Sequence, residues 1–184
     1  MLLSDKAIRG LLESGRLEID PLYQDTIREN GVDLRIGEEV AFPSFGGEVI
    51  DLRSADPEKH FMIREIPDEG LIVPGDTSLL LVTQERVRLP EDVAGLCGLR
   101  STFARWGFLS APTLIDAGFE GQLTVEVAWT RPSPVKIYRG IRFLHVIFFR
   151  LDGRSSRPYS GFYQGQRGVS LPKSLGGEVE DLKG

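Results

Sequence analysis

The stretch Gln122-Leu123-Thr124-Val125-Glu126-Val127-Ala128-Trp129 reads as a β-strand. Leu123, Val125, Val127 and Trp129 alternate with Gln122, Thr124, Glu126 and Ala128, and successive side chains of an extended chain point to opposite faces. One face suits a core, and Glu126 rides on the other. Outward from this strand, 21 Gly and 11 Pro divide the chain into further short runs of the same kind. Candidate strands are residues 31–36, 48–52, 71–73, 78–85, 93–99, 135–138 and 142–151. Turn signals fall at Gly46-Gly47, Pro74-Gly75-Asp76, Pro132-Ser133-Pro134 and Arg139-Gly140. Many short strands separated by such turns predict an all-β sandwich or barrel. Helix and strand do not alternate, which argues against a doubly wound fold. One short N-terminal helix is expected, capped by Ser4 or Asp5, carrying Ile8, Leu11 and Leu12 on one side and ending at Gly15. Residues 142–151 are nearly all apolar and are expected to be covered on both faces. His145 among them reads first as a packed, hydrogen-bonded core or interface residue.

The 184 residues suit one domain with a core of its own. Lys and Arg number 22 against 27 Asp and Glu, a net charge of −5, which speaks against a duplex nucleic-acid surface but leaves room for a small basic pocket. No apolar run approaches the ~18–20 residues of a membrane span, and the N-terminus lacks the basic and apolar regions of a signal peptide. A cytoplasmic protein is expected. The single cysteine, Cys97, excludes an intrachain disulfide and a zinc site built on Cys pairs, and His60 and His145 are isolated in sequence. Its setting, Val93-Ala94-Gly95-Leu96-Cys97, predicts a buried small hydrophobe rather than a nucleophile.

The densest chemistry lies in Gly98-Leu99-Arg100-Ser101-Thr102-Phe103-Ala104-Arg105-Trp106-Gly107. If Ser101 caps a helical turn, free N–H groups, two hydroxyls and guanidinium groups converge on an anion site; otherwise this is an ordinary cap beside a surface arginine. Asp116, before Ala117-Gly118-Phe119-Glu120-Gly121, reads either as a turn-forming Asx residue or as a ligand-binding acid. Glu126 in mid-strand is either solvated or functional. The aromatic, amide-rich Tyr159-Ser160-Gly161-Phe162-Tyr163-Gln164-Gly165-Gln166-Arg167-Gly168 is a Gly-hinged lid or a plain tail. Asp33, within Asn30-Gly31-Val32-Asp33-Leu34-Arg35, is a buried-looking acid whose simplest role is to pair with an arginine.

Together these pieces resemble the dCTP deaminase branch of the deoxyuridine-triphosphatase-like (dUTPase-like) superfamily. The segment from Asn30 to Arg35 is similar to its early strand motif, Arg100-Ser101-Thr102-Phe103-Ala104-Arg105 to its phosphate motif, Ile115 to Gly121 followed by Glu126 to its central motif, and Tyr163 to Gly168 to its lid. The resemblance implies a distorted jelly-roll β fold with residues 1–175 as one nucleotide-binding domain, a lid around 159–170 and a polar tail at 176–184. It implies a homotrimer or hexamer with sites between subunits, and a deoxynucleoside triphosphate substrate carrying Mg²⁺ on its phosphates. It implies deamination without zinc, and the zinc-deaminase signature is absent from this sequence.

By the same resemblance Glu126 shuttles protons, Ser101 orients the water and Arg105 fixes the catalytic groups or a phosphate at the subunit seam. Arg100 and Thr102 hold phosphate, Asp116 accepts the sugar 3′-hydroxyl, the backbone of Thr124 and Val125 reads the base, and Tyr159 and Gln166 contact phosphates from the lid. The pure diphosphatase branch usually has an apolar residue in place of Glu126 and Asp-x-Asp-Tyr in place of Asp116-Ala117-Gly118-Phe119, so both differences favour deamination of dCTP to dUTP. The alternatives are a bifunctional enzyme that also releases diphosphate to give dUMP, a pure dUTP diphosphatase, and a nucleotide-binding trimer without activity. Three positions depart from the family pattern. Phe162 stands where a lysine is usual, leaving Arg167 as the candidate replacement cation; the loop 108–114 is short and lacks the family histidine; and His145 replaces a glutamine.

Overall fold

The computed structural model describes residues 1–177. Most of the tail expected at 176–184 therefore lies outside the described residues. The chain opens with helix α1 (Asp5–Glu13), whose first turn is capped by the Ser4 hydroxyl accepting from the Ala7 N–H. Ile8 and Leu11 form its buried side. Past its end, the N–H groups of Arg16 and Leu17 both return to the Leu11 carbonyl.

The strands are β1 (Glu18–Asp20), β2 (Ile27–Arg28), β3 (Gly31–Pro43), β4 (Phe61–Glu65), β5 (Leu71–Val73), β6 (Thr77–Arg88), β7 (Val93–Leu99), β8 (Phe108–Leu109), β9 (Thr113–Ile115), β10 (Glu120–Trp129), β11 (Val135–Ile137) and β12 (Arg142–Arg150). A second short helix, α2 (Ser101–Trp106), interrupts them. The main sheet runs β8-β10-β6-β3-β12-β7-β9, with β1 added to β6 and β2 and β4 to β3, and β5 pairs with β11 separately.

The curl of this sheet follows from β3. Its first half pairs with β12, through Val32 to Arg35, and its second half pairs with β6 through Val40 and Ala41. The register shifts between Ile36 and Val40, and such an irregularity bends a strand and increases its twist. One strand thus serves two pairing surfaces that close around a common core. Phe143, Phe148, Leu34, Ile36, Leu81 and Val127 are all shut away from solvent there. Burial of this apolar area is the main stabilising contribution. The two halves are also tied by charge: Glu85 on β6 accepts from the Arg35 N–H at 2.8 Å and from Arg35 Nη1 at 3.1 Å, both residues being buried.

Two strand expectations are corrected. Residues 48–52 form no strand. Val49 is 97% exposed with no strand beside it, and Asp51 instead folds the chain locally by accepting from the N–H groups of Arg53 and, through its carbonyl, Ala55. Strand β12 is not covered on both faces. Leu144, Val146 and Phe148 are buried, whereas His145, Ile147 and Phe149 on the opposite face are only half-buried. Among the described residues no helix is long and apolar enough to cross a membrane.

Candidate active site

Strand β10 is paired with β6 along its whole length, from Glu120 to Trp129. On its other edge β8 covers only Ala128 and Trp129. The middle of the strand, residues 123–126, borders a cavity of ≈ 510 Å³. Leu123, Thr124, Val125 and Glu126 all line it, so residues from both faces of the strand meet the same space, as expected when a cavity lies against a strand edge. Leu123 and Val125 keep their side chains in the core, while Glu126 is exposed to the cavity side. The opposite wall comes from β9 and the turn after it, from Thr113 to Asp116.

Asp116 owes its position to a tight turn. The Phe119 N–H donates to the Asp116 backbone carbonyl at 3.1 Å, and Gly118 takes φ +86°. A Cβ at Gly118 would lie 2.7 Å from Cβ of Pro158, so both the backbone angle and the space call for glycine. The turn is made by main chain, which leaves the Asp116 carboxylate free to face the cavity. Neither Asp116 nor Glu126 has a hydrogen-bonding or ion-pair partner among the described residues. Two uncommitted carboxylates in one cavity can accept protons or hydroxyl hydrogen bonds from a ligand.

The C-terminal segment lies across this cavity as a strap. Tyr159 donates its N–H to the Ala117 carbonyl at 2.8 Å and sets its ring 5.7 Å from that of Phe119. Gln164 accepts from the Glu120 N–H and donates to the Gly118 carbonyl. Gln166 pairs with the backbone of Gln122 in both directions. The Ser170 N–H donates to the Thr124 hydroxyl at 3.1 Å. Tyr159, Tyr163 and Gln166 line the cavity. Gln166 Oε1 is buried without a partner, an acceptor kept from water in the wall of the site.

The arginine–hydroxyl cluster sits elsewhere. Arg100, not Ser101, is the N-cap of α2, and no side chain caps the helix, which corrects the expectation for Ser101. Ser101 is instead the first helical residue, because the chain leaving β7 turns at Arg100, whose N–H bonds to the Phe143 carbonyl. Ser101, Thr102 and Arg105 are exposed and, with Arg100 and Arg167, stand outside the lining of the cavity within one chain. Arg100 Nε meets Asp33 Oδ2 at 2.8 Å. Burial pushes the Asp33 carboxyl up, but the His145 hydrogen bond and the charges of Arg100, His145 and Arg142 outweigh it and hold the group below the usual carboxylate range. One chain therefore gathers Asp116, Thr124, Val125, Glu126, Tyr159 and Gln166, and leaves the phosphate-motif residues on another surface.

The apolar end of the cavity, with Pro43, Phe45 and Phe61, was not legible as part of a site. No local signal marks it: Pro43 and Phe61 meet the cavity through the pairing of β3 with β4, and Phe45, just beyond β3, sets its ring 5.9 Å from that of Phe61. Cys97 also borders the cavity but is 2% exposed, and burial pushes its thiol up to about 12, as befits an inert core residue. Among the described residues no group of three or more His, Cys, Asp or Glu side chains converges to hold a metal ion.

The family model for dCTP deaminase-like proteins matches residues 2–151. The chain belongs to the dCTP deaminase-like family. Within it, a dCTP deaminase of Korarchaeum cryptofilum is 68% identical over 175 residues, covering 95% of this chain and 99% of that protein. A dCTP deaminase of Acidianus ambivalens is 51% identical over 173 residues, 94% of this chain and 98% of that one. Among solved structures, a 2′-deoxycytidine 5′-triphosphate deaminase from Agrobacterium tumefaciens superposes with a TM-score of 0.60 at 23% identity, over 79% of this chain. The chain spans 45% of that longer protein, and the likeness at this identity concerns the dCTP deaminase-like fold alone. The family match ends at residue 151, so the strap lies beyond it.

Proposed function

We propose that this chain is a dCTP deaminase, converting dCTP and water to dUTP and ammonia. The observation that carries the reading is Glu126: a carboxylate without a partner among the described residues, in the middle of β10, at the open edge of a cavity that also holds Asp116. High identity to curated dCTP deaminases over nearly the whole chain supports it.

The chemistry follows from the groups present. Water attacks C4 of the cytosine ring as N3 is protonated. Glu126 takes the proton from water, delivers it to N3, then transfers the hydroxyl proton of the tetrahedral intermediate to the departing amine. Acid–base catalysis of this kind is typically worth ~10²–10⁴-fold. The free main-chain edge at Thr124 and Val125 recognises the base, and Asp116 accepts the sugar hydroxyl. Tyr159 and Gln166 close on the phosphates, with Arg167 supplying a cation from the strap. Mg²⁺ enters as part of the substrate, on the triphosphate.

Completion of the site by a neighbouring subunit, in a homotrimer or hexamer, is part of this proposal. Arg100, Ser101, Thr102 and Arg105 lie off the chain's own cavity, and Trp106 beside Arg105 is 70% exposed, as apolar side chains are when a partner covers them. In this arrangement the neighbour's Ser101 orients the water, its Arg105 steadies the reacting groups, and its Arg100 and Thr102 take phosphate. A cytoplasmic location fits such nucleotide chemistry.

The test is incubation of the purified protein with Mg²⁺ and either dCTP or dUTP, with products resolved by chromatography. Ammonia and dUTP from dCTP are expected, and Glu126→Gln should abolish deamination while nucleotide binding is retained. Full activity in that variant removes Glu126 from the mechanism. Release of diphosphate and dUMP would instead establish a diphosphatase activity at the same cavity.

A further inference from the structure

Three elements meet at Asp33. It lies on β3, opposite His145 of β12, and His145 in turn lies opposite Gly98 of β7, two residues before Arg100. The Asp33 side chain is 4% exposed. Its Oδ1 faces His145 Nδ1 at 2.9 Å, and its Oδ2 is ion-paired with Arg100 Nε at 2.8 Å and accepts from Arg142 Nη1 at 3.4 Å. Arg28 Nε stands 3.9 Å away. Arg100 is also held by its Nη1, which donates to the Arg142 carbonyl at 3.2 Å. Two of its three nitrogens are thus fixed from below, while Nη2 has no partner among the described residues and the side chain remains 27% exposed.

We propose that Asp33 is a positioning residue that aims the guanidinium of Arg100 at the substrate triphosphate. This rests on the reading of Arg100 as a phosphate-binding group. An unrestrained arginine loses side-chain freedom when it binds, and that loss subtracts from affinity. Here the buried carboxylate fixes the side chain before substrate arrives. It also compensates the charge of Arg100, Arg142 and Arg28, which would otherwise repel one another in a partly buried space. His145 holds the second carboxylate oxygen and so fixes the plane of the Asp33 group.

Steady-state kinetics on dCTP, with melting temperatures for each protein, test the idea. Arg100→Ala should raise KM at least about tenfold, the scale of a lost charge-assisted hydrogen bond. Asp33→Asn should raise KM by a similar factor with kcat changed less than about threefold, and the double variant should be no worse than Arg100→Ala alone. Arg100→Lys keeps the charge but lacks the planar guanidinium that Asp33 and the Arg142 carbonyl hold by two separate nitrogens, so its KM should approach that of Arg100→Ala; this variant decides the question if Asp33→Asn does not fold. An unchanged KM in Arg100→Ala overturns the phosphate role itself. A raised KM there, combined with wild-type KM in Asp33→Asn or Arg100→Lys, or with multiplying effects in the double variant, overturns the positioning role alone.

Discussion

The side-chain oxygen of Gln122 accepts a hydrogen bond from the backbone N–H of Gly168 at 2.7 Å. The amide nitrogen of the same side chain donates to the Thr83 carbonyl at 2.8 Å. One residue of β10 therefore fastens the strap to β6, beside the cavity. Gln122→Ala removes both bonds, each worth on the order of 1 kcal/mol. The strap should open more often, seen as faster hydrogen exchange and proteolysis at residues 159–170, with a raised KM for dCTP and a melting temperature lowered by a few degrees.

The Asp33 cluster sets a pH dependence of stability. Its carboxyl titrates below the ordinary range in the folded protein, so its ion pairs stabilise fully above the unfolded value of about 3.9 and that contribution is lost as pH falls through the folded value. The stability difference between the natural protein and Asp33→Asn should shrink below about pH 4. Denaturant titrations from about pH 5 downward check this. A difference that grows over that range would contradict the assignment.

Cys97 should not react with iodoacetamide in the native state at pH 8, and should react fully once the protein is unfolded. Its burial and a thiol pushed up to about 12 both withhold the thiolate. Mass spectrometry of the alkylated protein reads the outcome directly.

Strand β10 was legible because one residue type alternates with another: Leu123, Val125, Val127 and Trp129 are all buried, as their spacing requires. Helix α1 was legible from its cap and its apolar spacing, and β7 runs over the residues its composition marks, Val93–Leu99. Of the strands of two or three residues, β5 and β11 were marked at 71–73 and 135–138, whereas β1, β2, β8 and β9 were not, because partners far along the chain create them rather than any local preference. The continuation of β3 through Gly37-Glu38-Glu39 was hidden for a related reason. A glycine followed by two charges carries no strand signal of its own, and only the pairing of β4 and β6 with Val40 and Ala41 extends the strand through them. In the site, the carboxylates, strap aromatics and amides were recognisable by type and order. The fastening of Arg100 by Asp33 was only half legible: an acid pairing with some arginine is a local guess, whereas the choice of arginine depends on how β3, β12 and β7 stack.

Helix α2 carries Ser101 and Arg105 away from the cavity of their own chain. If a neighbour supplies them, two inactive variants can repair each other. A chain with Glu126→Gln still offers its arginine, and a chain with Arg105→Ala still offers its glutamate. Unfolded together and reassembled in equal amounts, they should regain about a quarter of the wild-type sites by random association around a closed ring. Damage to one copy of such an enzyme is thus diluted, not simply inherited, by the assembly it joins.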